Sequence, residues 1–311
     1  MLSFENLVRI AKEQHASDIH VHPRAQGADI SVRVQGRLQA LQSCSLTEAE
    51  RLLAQVRVAC GLDVSVRQLP QDGRFQLAEG ISGRVSLLPT LHGSACVVRL
   101  FELLSAPSLE VLGFSAAQAQ CLQQCVSKPF GLVVVAGPTG SGKTTTLYHL
   151  LRQAKRPDRV LLTLEDPIEA EIIEARQTAC RPELGLDFAS GLRALLRQDP
   201  DVILVGEIRD AETAQMAVRA ALTGHLVMTS VHARDTVEVL YRLLDLGVPA
   251  FQLAATLSLA VAQRWEHLNQ PQRRLKLEIL QYPDNLFDIL ETPVGRDVLT
   301  QKLEQFIISN Y

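Results

Sequence analysis

Apolar and polar residues follow two different rhythms along this chain, and the change falls just after residue 103. Before it, apolar positions run at helical spacing around Phe4 to Gln14, and alternating segments follow: SDIHVHP, ADISVRV and RLQAL. Gln35 and Gly36 supply a hairpin turn between the last two. Ser45 and Glu48 form an S-x-x-E capping box, which predicts a helix to about Cys60. Strands are expected near Phe75, Val85 and Val97, with QDGR and LHGS as turns. Residues 1–103 therefore read as a small α+β domain. The segment LLSAPSLEVLGFS, punctuated by Pro107 and Gly113, marks a linker over 104–116.

From 117 to 311 strands alternate with helices. GLVVVAG, RVLLTLED, DVILVGE and HLVMTSVH are nearly continuous apolar runs, as in strands buried on both faces. Helices fit between them at Thr144–Ala154, Phe188–Gln198 and Ala211–Leu222, the last capped by Asp210. Two further helices, a strand RRLKLEILQY and helical segments to the end complete an α/β pattern with crossover helices. The longest uncharged stretch, Leu246 to Gln263, is broken by Gly247, Pro249 and polar residues, and reads as a buried helix, not a membrane span.

Composition narrows the function classes. With 311 residues, 47% apolar and 21% charged, the chain can bury two ordinary cores and is neither a stapled mini-protein nor disordered. A net charge of −3 argues against wrapping nucleic acid phosphates as the main activity. Six of the 31 basic residues are lysine, leaving 25 arginines, the side chain suited to bidentate phosphate contacts. Six cysteines without a C-x-x-C pair read as free thiols, and the opening MLSFENLVRIAKEQ lacks the apolar core of a secretory signal. A cytoplasmic protein is expected.

The chemistry concentrates in a few segments. GPTGSGKT satisfies G-x-x-x-x-G-K-[ST] between an apolar strand and a helix. Gly137, Gly140 and Gly142 let backbone amides converge on a phosphate, and Lys143 would reach the outer phosphates. Thr144 would offer its hydroxyl to Mg²⁺, with Pro138, Thr139, Ser141 and Thr145 completing the cradle. The strand DVILVGE ends in Glu207, placed to orient and deprotonate an attacking water. In LEDPIE, Glu165, Asp166 and Glu169 form either a metal-holding group or a solvated acidic turn. His225 and His232 flank one strand. Their spacing rules out a shared zinc, leaving a phosphate-sensing role or an ordinary structural one.

Taken together, GPTGSGKTTT, LEDPIE, FASGLRALLRQDPDVILVGEIRD and TGHLVMTSVHA strongly resemble the secretion ATPases of type II secretion systems, type IV pili and competence pseudopili. The likeness is close over about 120–265, and HASDIHVHP, QDGRF and SGRVSLLPTLHGSACVVRL extend it through the first domain. It implies a RecA-like P-loop motor domain preceded by a PAS-like domain. It also implies a ring-shaped homo-hexamer binding ATP and Mg²⁺ between the domains of one subunit and a neighbour's surface. By motif match, Arg74, Arg84, Arg193 and Arg197 would serve the phosphates, although each also fits an ordinary surface arginine. The four-cysteine module that follows the motif matched by Val261–Arg264 in many members is missing, so no zinc is expected.

The nearest subtype by resemblance is the competence pseudopilus ATPase of Gram-positive bacteria. Its partners are a polytopic membrane platform protein and, indirectly, the pilin apparatus, with no direct nucleic acid contact. That implies peripheral association with the membrane. Alternatives within the superfamily are a pilus retraction or conjugative-transfer ATPase; outside its activity they are a P-loop kinase or an ATP-binding assembly scaffold.

Overall fold

The computed structural model describes residues 2–34, 36–77, 81–101, 108–267, 273–283, 285–291 and 296–309. The chain divides into two compact units, Met1–Leu103 and Leu104–Tyr311. Gln35 of the expected hairpin turn and 104–107 of the expected linker lie outside the described residues.

In the first unit, helices α1 (Phe4–Glu13) and α2 (Leu46–Ala59) accompany strands β1 (Ala16–Arg24), β2 (Gly27–Val34), β3 (Arg37–Ser45), β4 (Gln71–Gln76), β5 (Ser82–Thr90) and β6 (Gly93–Phe101). The strands form one antiparallel sheet in the order β3-β2-β1-β6-β5-β4. Phe4, Leu7 and Val8 of α1 and Leu52 and Val56 of α2 bury against Ile19, Val21, Ile30, Val85, Leu87 and Val98 of the strands. Each fully buried side chain of this kind contributes about 1.5–3 kcal/mol. The Ser45–Glu48 capping box opens α2 as its residues require.

QDGR is a strand, not a turn. It begins β4, where Gly73 pairs with Val85, and a Cβ on Gly73 would lie 2.8 Å from the Cβ of Cys60. The glycine serves close packing under the end of α2. Gly83, opposite Phe75 on β5, is tighter still. A Cβ there would meet the Arg99 carbonyl oxygen at 2.4 Å and the Phe75 ring at 2.7 Å. Backbone cannot yield as a side chain can, so Gly83→Ala is expected to destabilise this unit by about 1–3 kcal/mol, read as a lower urea midpoint.

The second unit is built on α3 (Ala116–Ser127), β7 (Gly131–Ala136), α4 (Lys143–Gln153), β8 (Leu161–Glu165), β9 (Arg176–Ala179), α5 (Phe188–Leu195), β10 (Val202–Val205), α6 (Ala211–Leu222) and β11 (Leu226–Val231). It continues with α7 (Thr236–Asp245), α8 (Ala250–Thr256), β12 (Leu257–His267), β13 (Arg273–Gln281), α9 (Leu286–Glu291), α10 (Arg296–Leu303) and β14 (Ile307–Ser309). The sheet order is β14-β13-β12-β7-β11-β10-β8-β9, parallel from β12 to β9 and antiparallel at the β13 and β14 edge. Side chains of the central strands alternate between two cores: Leu132, Val134, Ile203 and Val205 face one, and Val133, Val135, Val202 and Leu204 the other.

The uncharged stretch to Gln263 is not one helix. α8 ends at Thr256, and Leu257–His267 inserts as β12 beside β7, with Ala262 opposite Ala136. An apolar run without periodicity fits a buried helix or a doubly covered strand equally, and only the vacant edge of β7 decides. No helix among the described residues is long and apolar enough to cross a membrane.

Candidate nucleotide-binding site

β7 delivers the chain into the glycine-rich loop. Gly137, at φ 150°, passes so close to β12 that a Cβ would sit 2.3 Å from the Gln263 carbonyl oxygen. Gly140 and Gly142 have open space around them but φ values of 78° and 92°, which side-chain-bearing residues rarely adopt. α4 then begins at Lys143 with no side-chain cap on its first turn, leaving its amide donors for an anion. The Ser141 hydroxyl is buried without a partner among the described residues. Lys143 Nζ donates to the carbonyls of Gly137 at 2.8 Å and Pro138 at 3.1 Å. Burial lowers its pKa, and the Glu207 carboxylate works in the opposite direction, so the two groups sense each other across the site. Pro138, Thr139 and Gly140 are exposed, while Thr144 and Thr145 are half-buried at the start of α4. This loop of free amides, one cation and an orphaned hydroxyl fits a polyphosphate.

Glu207 follows β10 by two residues and is held on both oxygens. Oε1 lies 2.9 Å from His232 Nε2, and Oε2 accepts from Arg209 Nε at 2.9 Å and Nη2 at 2.8 Å. The backbone is fixed too: the Gly206 amide donates to the Leu164 carbonyl at 2.8 Å, and Ser230 Oγ donates to the Gly206 carbonyl at 2.7 Å. The ends of β8, β10 and β11 thus place one carboxylate with two cationic or protonatable neighbours.

The two histidines part company. His232 is at Glu207, whereas His225 precedes β11 and its Nδ1 lies 2.9 Å from the Ala220 carbonyl at the end of α6. The strand between them holds the rings on the order of 20 Å apart. His225 is therefore a helix-end residue and no part of this site.

Among the acidic trio, Asp166 and Glu169 are exposed, but Glu165 is only 3% exposed. Its Oε1 accepts from Thr163 Oγ1 at 2.6 Å and Gln177 Nε2 at 3.0 Å, and its Oε2 accepts from the Tyr148 hydroxyl. Burial and the Glu165 charge push the Tyr148 phenol well above its usual pKa, so it stays a donor. The Glu169 amide donates in turn to the Tyr148 oxygen at 3.1 Å. Glu165, expected beside Asp166 and Glu169 as a metal contact, is instead the buried brace of the turn that presents them.

Arg193 pairs with Glu212 on α6, and Arg197, past the end of α5, donates to the Arg193 carbonyl at 2.9 Å. On the first unit's sheet, Arg74, Arg84 and Arg99 sit abreast on β4, β5 and β6. Asp72 lies 3.6 Å from Arg84, and the buried Asp18 lies 2.9 Å from Arg99. Like charges in register repel, so this row is suited to an anion.

Three participants escape a motif search. Trp265 Nε1 donates to the Gly140 carbonyl at 3.1 Å, the buried Gln263 borders Gly137, and Tyr148 anchors Glu165. Gln263 ends the stretch that reads as helix, and Trp265 lies two residues further along the same strand, β12. Tyr148 carries a signal of its own, falling on the inner side of α4.

Comparison with known proteins sets the chain beside secretion and pilus ATPases. The chain is 39% identical over 286 residues to the type IV pilus assembly ATPase PilB of Thermus thermophilus, covering 91% of this chain and 32% of that protein. It is 40% identical over 296 residues to the putative type II secretion system protein E of Escherichia coli, covering 92% and 60%. The chain thus spans about a third to three fifths of the length of these relatives. Among solved structures, the pilus retraction motor PilT with bound ADP superposes with a TM-score of 0.77 at 28% identity, covering 98% of this chain and 88% of that one. The ATPase DotB of Legionella pneumophila gives 0.75 at 25% identity, covering 97% and 86%. The sequence model of the type II/IV secretion system protein family matches residues 2–293, loop, acidic turn and Glu207 strand included, and the chain belongs to that family.

Proposed function

We propose that the protein is a cytoplasmic ATP hydrolase that assembles as a homo-hexamer and converts hydrolysis into pilin polymerisation for a type IV or competence pseudopilus. The observation that carries this is Glu207, fixed by His232 and Arg209 and within electrostatic reach of Lys143. A bound Mg²⁺ would neutralise phosphate charge, with Thr144 and the exposed Asp166 and Glu169 available to hold it directly or through water. Lys143, Ser141 and the α4 amides bind phosphate, and Glu207 orients and deprotonates water. Arg74 and Arg84 supply positive charge once subunits assemble, and Arg193 with Arg197 is reserved for the same task. The partners are a polytopic membrane platform protein and, through it, the pilin apparatus.

Polymerisation is preferred to retraction because relatives about 40% identical are named for assembly or secretion, against 28% for PilT. The test is phosphate release from Mg-ATP measured across protein concentration alongside light scattering. Specific activity is expected to rise as the ring forms. Release that is absent at every concentration, or independent of assembly, overturns the proposal.

A further inference from the structure

The first unit contains a cavity of about 330 Å³ between α2, the loop over 61–70 and the turn joining β5 to β6. Its walls are mostly apolar, with Leu53, Ala54 and Val64 among them. Arg57 of α2 also lines it and is only 5% exposed.

All of the partners of this arginine are neutral. Nε donates to Gln71 Oε1 at 3.0 Å, Nη2 to Ser94 Oγ at 3.1 Å, and Nη1 makes a long contact of 3.5 Å to the Leu53 carbonyl. No carboxylate pairs with it among the described residues, although buried charges are ordinarily paired. Burial presses its pKa downward, and the nearby Arg67 adds to that pressure. Arg67, which is exposed, lines the same cavity and adds positive charge, and the exposed His92 ring lines it too. The acidic residue of the lining, Glu50, is exposed and two helical turns before Arg57, about 10 Å along the axis.

We propose that this cavity binds a small organic oxyanion, a carboxylate or phosphate monoester on a short apolar or aromatic body, with the charged end on Arg57. Its three bonds leave one N–H on each terminal nitrogen, and such a pair matches two oxygens of one oxyanion. The apolar walls take the body of the ligand, and the volume falls in the range of small-molecule sites.

The test uses the full chain with Mg-ADP present throughout to fill the phosphate loop, titrated calorimetrically with benzoate, phenyl phosphate and uncharged benzyl alcohol. Saturable binding of benzoate or phenyl phosphate is expected, with benzyl alcohol bound far more weakly. Arg57→Gln should weaken the anion about tenfold or more, the loss of a charged bidentate contact. Ala54→Phe, which fills the cavity and keeps the arginine, should abolish binding, and it decides the matter if Arg57→Gln fails to fold. No binding of either anion, binding that survives Ala54→Phe, or equal binding of benzyl alcohol overturns the proposal. Since ADP occupies the loop in every arm, such a failure leaves the nucleotide reading untouched.

Discussion

Glu207→Gln is expected to slow ATP hydrolysis by about 10²–10⁴-fold while leaving ATP binding within a few-fold of the parent. Glutamine keeps the shape and one carbonyl acceptor for the Arg209 guanidinium, which bonds Oε2 at 2.8 and 2.9 Å. It cannot take a proton from water. Phosphate binding rests on other groups, namely the amides at the start of α4, Ser141 and Lys143. The substitution removes negative charge opposite Lys143, so nucleotide affinity should rise if it moves at all. Phosphate release and titration with a fluorescent ATP analogue separate the two quantities. Unchanged hydrolysis would remove Glu207 from the reaction, and parallel loss of both would recast it as a support for the loop.

Glu165→Ala is expected to destabilise the second unit by about 3–5 kcal/mol, seen as an early unfolding transition in urea. The substitution strands the Tyr148 hydroxyl, the Thr163 hydroxyl and the Gln177 amide, which all donate to this carboxylate in the interior. Each unpaired buried donor costs about 1–3 kcal/mol. Hydrolysis should fall too, because Tyr148 loses the partner that aims it at the Glu169 amide and the acidic turn relaxes. A residue serving only as a metal ligand would behave differently. Its removal would raise the Mg²⁺ requirement and leave the unfolding midpoint where it was.

Much of this architecture is legible in single segments. The glycine-rich loop, its strand and its helix are contiguous, so local spacing alone identifies them. The capping boxes show the same logic: Ser45 with Glu48 is read directly, and Ser115 with Gln118 opens α3 by the same device, although no apolar run draws attention to it. The short edge strands β9 and β14 carry little pattern of their own and exist because a neighbour offers an unpaired edge.

The sequence by itself determined the change from an α+β to an α/β pattern, the phosphate loop, and the placing of Glu207 at a strand end, because each is written in neighbouring residues. Tertiary structure alone decided that Leu257–His267 is a strand, that QDGR pairs with β5, that His232 and not His225 meets Glu207, and that Glu165 turns inward. Several of these outcomes depend on partners distant in the chain, such as Gln263 against Gly137 and His232 against Glu207. A strand is defined by the edge it joins and a carboxylate by the donors that reach it, so folding, and not local propensity, assigns both.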